Sequence, residues 1–438
     1  MNIIIAGAGK VGFNLANTLS QSHSVTIIDK NIEALNRIQE SLDVLTVWGD
    51  IEDPKTYTKF IDKEFELFIA VTNIDEANLI SSMIIEENVK VERKFVRLKK
   101  TFFKDSYLLQ KLKITETIFP IELTAKSVNL LLNYPLANNV KSFAYTNFKL
   151  ISVRVKKDFG DFGILDENFA IIGIEREKDF FLFSKEKDSL KKGDLVYLFG
   201  DETKIKEVCK IFNPEVLQVI KRCVIFGANE LALSIAKKLL KTQKEIKIVE
   251  KDLDLCKRAD EILGGEVMVL SSKYGSEVLF EEEGLKYADM VISATDDDEF
   301  NIIKSLEAKE YGILKTVAVN NEKEYYSLMH SLDLVVVRGP KMSAFHTIIE
   351  KIHSTKIVTE RRFCGGKGVM FLRKLFKGSH LAHKKIKPIT SKEIKTFLVR
   401  SNDLLSFTQP TLLQEDDVII IFGKEKDSDK IESWINGL

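Results

Sequence analysis

The chain begins Met1-Asn2-Ile3-Ile4-Ile5-Ala6-Gly7-Ala8-Gly9-Lys10-Val11-Gly12, and a near copy of that start returns as Arg222-Cys223-Val224-Ile225-Phe226-Gly227-Ala228-Asn229-Glu230-Leu231-Ala232. An apolar run, a glycine turn and a helix-compatible segment in that order leave few folds open: a buried strand delivers the chain to the N-terminus of a helix. The repetition restricts it further. Gly7 maps to Gly227 at an offset of 220, Asp29 to Glu250 at 221, and both Thr72 to Thr295 and Phe199-Gly200 to Phe422-Gly423 at 223. So constant an offset allows few insertions, and the second half is expected to keep the architecture of the first.

The first ~135 residues alternate short apolar runs with helical patterns, as a parallel sheet requires. Strands are predicted at Ile3-Ala6, Val25-Ile28, Val44-Val47, Leu67-Val71 and Lys94-Arg97, with helices from about Val11 to Ser20, Ile32 to Ser41 and Asn78 to Glu87. A further helix is expected over Phe119 to Leu132, ended by Tyr134-Pro135, because a residue before proline avoids the helical region. Short strands then follow at Lys149-Val155, Ala170-Glu175, Phe180-Phe183 and Leu195-Phe199. The segment Asp194 to Gly200 has its echo in Asp417 to Gly423. The fold class is therefore α/β: two doubly wound Rossmann-like parallel-sheet domains, each followed by a small, mostly β domain, in tandem duplication. Expected limits are 1–135, 136–215, 216–355 and 356–438, within the roughly two to four domains that this length suggests.

Lys+Arg and Asp+Glu are equal at 65 each, which argues against a general nucleic-acid binder. Cys209, Cys223, Cys256 and Cys364 form no CxxC pair and read as reduced thiols of a cytosolic protein. A strand starting at residue 2, with no basic segment before it, leaves no place for a signal peptide. The longest apolar runs, Leu67 to Val71 and Val418 to Phe422, are strand-sized and far short of the ~20 residues that span a bilayer. A membrane role is expected to be peripheral.

Gly7 to Gly12 fits GxGxxG, and Asp29 follows 17 residues after Gly12 at the end of a strand. In the dinucleotide reading, Gly7 makes the tight turn, Gly9 lets the main chain approach a pyrophosphate, and Gly12 lets the helix pack on the sheet. Ala8 and Val11 complete the loop, and Lys10 is placed to reach a phosphate or to be a solvated lysine. The helix start presents N–H groups and partial positive charge. Asp29 can accept two hydrogen bonds from ribose hydroxyls and would repel a 2′-phosphate, which favours NAD(H) or ADP/ATP over NADP. Asp50, after Trp48-Gly49, suits the adenine side of a ligand or a helix cap. Thr72 and Asn73 fall at the carboxyl edge of the sheet, where open α/β folds bind ligands, with Asp75 as a candidate helix cap. Arg97 ends a strand on the same edge and suits a phosphate or a surface ion pair.

These residues, with Gly49-Asp50, Glu76, Asn78 and the duplication, resemble the TrkA family of bacterial potassium-uptake proteins, whose units are RCK repeats. The resemblance spans essentially the whole chain. It implies a cytoplasmic subunit at the inner face of the membrane that binds NAD/NADH or ADP/ATP. It also implies a homotetramer that gates a TrkH-type membrane potassium channel.

The second half departs from the pattern. Asn229, Glu230 and Ala232 replace Gly9, Lys10 and Gly12, which weakens both features that hold phosphate. Glu250 keeps a ribose acceptor, Thr295 keeps the polar edge, Ser271-Ser272 replaces Gly49-Asp50, and Arg97 has no basic counterpart near Asn320. The acidic run Asp296 to Glu299 reads as a solvated helix start more readily than as a cation site. Arg361 to Lys387 holds nine Lys/Arg and no acid, with Val369, Phe371, Leu372, Leu375 and Phe376 interleaved. Such a stretch suits anionic headgroups or acidic channel loops, or is simply solvated. The competing classes are an NAD-dependent oxidoreductase and a nucleotide-sensing scaffold without a channel. None of the six histidines lies at the ligand edge of the first repeat, and no substrate domain follows, so catalysis is not expected.

Overall fold

The structure is a computed structural model that describes all residues except 144, 160–167, 178, 185–188, 215–218, 273–274, 323 and 353–357. The expected limits at 215/216 and 355/356 lie outside the described residues. The chain forms two compact units, Met1–Thr124 with Arg338–Lys351, and Ala125–Val337 with Ile352–Leu438.

In the first repeat β1 (Asn2–Ala6), α1 (Lys10–Leu19), β2 (Ser24–Asp29), α2 (Ile32–Ser41), β3 (Leu45–Trp48), β4 (Glu64–Ala70), α3 (Asp75–Asn88), β5 (Lys90–Arg97), α4 (Tyr107–Lys111) and β6 (Glu116–Ile118) build a six-stranded sheet of order β3-β2-β1-β4-β5-β6. Its strand pairs are parallel. Ile3, Ile4 and Ile5 are wholly buried, as expected of a central strand covered by helices on both faces. The order reverses at β1, so the carboxyl ends of β1 and β4 bound the crevice in which such sheets take ligands. Several features differ from expectation. β4 starts three residues before Leu67, α3 three before Asn78 and β5 four before Lys94, and both α4 and the edge strand β6 are additions. Helix α11 (Pro340–Ile352) belongs to this unit through most of its length. The Thr124 hydroxyl donates to the Arg338 carbonyl at 2.9 Å, and Lys351 pairs with Glu116 at 2.9 Å.

After α5 (Pro120–Asn133), the first small domain has antiparallel strands β7 (Ala137–Ser142), β8 (Lys149–Arg154), β9 (Phe169–Arg176), β10 (Asp179–Leu182) and β11 (Leu195–Gly200), ordered β10-β9-β11-β8-β7, then α6 (Glu202–Phe212). The second repeat follows with β12 (Arg222–Phe226), α7 (Glu230–Leu240), β13 (Glu245–Glu250), α8 (Leu253–Leu263), β14 (Met268–Ser271), β15 (Met290–Ser293), α9 (Asp298–Glu310), β16 (Lys315–Asn320), α10 (Tyr325–Ser331) and β17 (Val335–Arg338). Their order, β14-β13-β12-β15-β16-β17, repeats that of the first sheet. The second small domain contains β18 (Val358–Phe363), β19 (Gly368–Lys374), β20 (Lys385–Ile386), β21 (Ile394–Arg400), β22 (Asp403–Ser406), β23 (Thr411–Leu412), β24 (Val418–Lys424) and α12 (Ser428–Asn436). Its main sheet runs β18-β19-β24-β21-β22. The fold is thus the duplicated α/β arrangement expected.

The two small sheets share one core. Phe148, Leu150 and Phe199 of the first cluster with Phe363, Met370, Ile420 and Phe422 of the second. The Phe199 and Phe422 rings lie edge to face at 5.2 Å, a preferred aromatic geometry. An ionic hub lies in the same unit. Asp333 meets Arg154 at 2.8 Å, Lys156 at 3.2 Å and Lys309 at 3.3 Å. Beside it, burial pushes the His330 imidazole down from 6.5 to about 4, with Glu175 and Asp333 opposing the shift and Arg154 adding to it. A base with a lowered folded pKa binds fewer protons folded than unfolded, so the stability it lends is full above pH 6.5 and falls as pH drops toward about 4. Thermal melts from pH 7 to 4 are expected to show a loss that His330→Asn reduces.

Candidate nucleotide-binding site

The glycine loop joins β1 to α1. Gly7 has φ +113°, a region L residues rarely adopt, and a Cβ there would meet Thr72 at 3.1 Å. A Cβ on Gly12 would lie 1.8 Å from the Gly7 carbonyl oxygen. Gly12 therefore lets α1 close against its own loop more than against the sheet. Gly9 is different: a Cβ there would find nothing within 4 Å. Its backbone is extended, it is the N-cap of α1, and no side chain caps that helix. The first-turn N–H groups of α1 thus face an open position, the geometry that suits an anion. Lys10 is exposed at that turn, whereas Val11 and Ala8 are buried and contribute main chain.

Asp29, at the end of β2, turns toward the loop. One carboxylate oxygen accepts from Ala8 N–H at 2.6 Å and the other from Asn31 N–H at 2.8 Å. These bonds hold the loop in place. Asp50 is no helix cap. Its carboxylate accepts from Glu52 N–H at 3.0 Å and lies 3.7 Å from Lys30 Nζ, while Asp53 caps the following turn at Lys55 N–H. Trp48 pairs in register with Asp29 and is 70% exposed. Its indole N–H donates to the Lys30 carbonyl at 3.2 Å, so the ring is exposed on the strand beside Asp29. In the sequence, Trp48 is marked only by its place directly before Gly49-Asp50, and its exposure appears in the fold.

Thr72 and Asn73 lead from β4 to α3. The Thr72 hydroxyl donates to Asn78 Oδ1 at 2.7 Å, and Asn78 Nδ2 donates to the carbonyls of Thr72 and Arg97 at 3.1 and 2.9 Å. Thr72 therefore braces the edge beneath Gly7, a bond that only the folded sheet brings about. Asp75 does not cap α3. It is buried at the first turn and accepts from Lys99 N–H and Lys100 N–H. Arg97 is 6% exposed and donates to Asn73 Oδ1 at 3.1 Å, with its Nε unbonded. Burial lowers its pKa, opposed by Asp75. The structure thus brings Gly7–Gly12, Asp29, Thr72, Asn73 and Arg97 to one edge of one sheet.

The second repeat keeps the frame and fills the opening. Gly227 has φ +106°, and Glu250 accepts from Ala228 N–H at 2.8 Å as Asp29 does from Ala8. Thr295 bonds Asn301 as Thr72 bonds Asn78. At the anion position, however, Asn229 Oδ1 accepts from Ala232 N–H at 3.0 Å, and Glu230 lies 3.7 Å from Arg258. Asn320, in place of Arg97, bonds Glu322 of its own loop. In the acidic run Asp297 caps α9 and Asp298 accepts from Asn321 N–H. Among the described residues no group of three or more His, Cys, Asp or Glu could hold a metal ion.

The basic stretch also differs from expectation. Val369, Phe371, Leu372 and Leu375 are core residues, Arg362 pairs with Glu360 and Glu425, and Arg373 donates to the Ile435 carbonyl. Of the interleaved apolar side chains only Phe376 is exposed. Among the described residues no helix is long and apolar enough to cross a membrane.

The model of the TrkA-N domain matches residues 3–120 and again 223–338. A Trk system potassium uptake protein TrkA homolog of Archaeoglobus fulgidus is 27% identical, covering 99% of each chain. In fold the chain is similar to the GsuK RCK domain, with TM-score 0.61 and 15% identity over 100% of this chain and 95% of that one. It is likewise similar to the GsuK channel bound to NAD, with TM-score 0.63 and 15% identity over 100% of this chain and 79% of that one. Two copies of the same nucleotide-domain pattern, a full-length Trk relative and an RCK-type architecture lead to one assignment: the chain belongs to the TrkA family.

Proposed function

We propose that this chain is the regulatory subunit of a Trk-type potassium uptake system, that its first repeat binds NAD/NADH, with ADP/ATP as the alternative, and that binding gates a TrkH-type membrane potassium channel. The role is regulatory, not catalytic. The observation that carries the reading is the uncapped N-terminus of α1 behind an open Gly9, with Asp29 beside it. In this reading the pyrophosphate lies against the α1 amides, Asp29 takes the ribose hydroxyls, and adenine stacks on Trp48 above Asp50. Asn73 and Arg97 meet the distal phosphate or nicotinamide side, with Thr72 as the brace beneath. Glu250 and Thr295 hold the equivalent frame in the second repeat, where Asn229 and Glu230 disfavour a dinucleotide. The GsuK channel bound to NAD supports the ligand class.

The four units are 1–135, 136–215, 216–355 and 356–438. The working assembly is a homotetramer at the cytoplasmic face of the membrane, and its switch is a population shift. A ligand that moves a gate from mostly closed to mostly open must prefer the open state by about 5.5 kcal/mol, a difference that several subunits supply together.

Calorimetric titration of NAD, NADH, ADP and ATP into the full chain tests the ligand assignment. One adenosine-ligand site per chain is expected; two equal sites, or none, would overturn it. Trp48→Ala is expected to weaken binding about tenfold, the lower end of base-aromatic stacking, with folding unchanged because the side chain is exposed. Reconstitution with the channel then reads gating.

A further inference from the structure

Between Leu375 and Lys387 the second small domain carries a knob made of successive turns. Leu375 and Leu381 are buried and anchor it in the core around Phe371 and Leu398. Ser379 N–H bonds the Phe376 carbonyl, Ala382 N–H the Ser379 carbonyl and Lys384 N–H that of Leu381. With both leucines turned inward, the exposed Phe376, Lys377, Lys384, Lys385 and Lys387 project outward. No acidic residue lies in sequence between Arg361 and Lys387. Among the described residues, one neighbouring turn brings acids to the knob, and the Leu438 main-chain oxygen meets His380 Nε2 at 2.7 Å. Glu415 accepts from Gly378 N–H at 2.9 Å, and Asp416 is paired with Lys374 at 2.8 Å. The knob therefore keeps a positive excess.

Apolar groups sit beside this charge. Phe376 is 42% exposed and packs edge to face, at 5.5 Å, on Tyr145, itself 51% exposed. Leu412 pairs with Lys385 across β20 and β23 and is also exposed. Lysines around half-exposed aromatic and aliphatic side chains match the interface of an anionic bilayer, where ammonium groups meet lipid phosphates and ring bodies enter the headgroup boundary.

We propose that this knob is a docking surface for an anionic lipid bilayer. It deepens the proposed placement at the membrane face and rests on that placement. Co-sedimentation of the full chain with phosphatidylcholine vesicles, with and without phosphatidylglycerol, provides the test. The chain is expected to bind the anionic vesicles alone and to release them as salt rises. Lys377→Glu/Lys384→Glu/Lys385→Glu is expected to weaken binding at least about tenfold, and Phe376→Ser severalfold. The control Lys59→Glu/Lys63→Glu, on exposed lysines of the first repeat, is expected to change little.

Absent binding to anionic vesicles, or equal losses in the knob variant and the control, would overturn the proposal. So would an effect of the knob lysines confined to co-purification with an acidic membrane protein. NADH titration of the same variants is expected to be unchanged, so failure of the dinucleotide reading shows itself separately.

Discussion

Gly9→Asp is expected to reduce NADH affinity at least hundredfold, about 3 kcal/mol, while leaving the fold as stable as before. A Cβ at this position meets nothing within 4 Å, and the extended backbone at Gly9 suits any residue. Asp is also a better N-cap than Gly by a few tenths of a kcal/mol. It would place a carboxylate on the α1 amides that a pyrophosphate is proposed to use, as Asn229 already places an amide oxygen on Ala232 N–H. Calorimetry with NADH and a thermal melt read the two effects independently. Unchanged affinity would remove the ligand from this helix terminus.

Asp29→Ala is expected to cost about 2–3 kcal/mol of NADH binding, the scale of hydrogen bonds to a charged acceptor. Part of that loss is indirect. Asp29 also accepts from Ala8 and Asn31 N–H, so the loop loosens when the carboxylate goes. Glu250 supplies the comparison, since it supports the second loop in the same way. Glu250→Ala is expected to lower stability by about 1 kcal/mol and to leave NADH affinity unchanged. Equal binding losses in the two variants would show that Asp29 acts only as a support.

Patterns that depend on local sequence were legible. The strands β1, β2 and β4 are centred on short apolar runs, and the glycine loop carries its requirements in the residues themselves: Gly7 its positive φ, Gly12 its lack of space. What depended on tertiary partners was not. β6 has three residues and one buried side chain, too little for a periodic signal. Asp75 reads as a cap because it starts a helix, yet its carboxylate is taken by amides 24 and 25 residues away. Asn78 stands out in the sequence only through the resemblance, and its role as the bond between the Thr72 edge, α3 and β5 appears only in the fold. In the basic stretch the interleaved residues divide by structure: Val369 to Leu372 form a strand buried on both faces, with Val369 and Phe371 in one core and Met370 and Leu372 in another, while Phe376 and the lysines after it stay exposed.

The core formed jointly by Phe148, Phe199, Phe363 and Phe422 links the halves more tightly than the repeat alone requires. A polypeptide stopped after Phe212 would leave half of that aromatic layer wet. It would precipitate or seek a twin, since the missing surface resembles its own. Covalent connection within one chain guarantees the match, and the second repeat, with Asn229 where the first has Gly9, still serves as a structural mate.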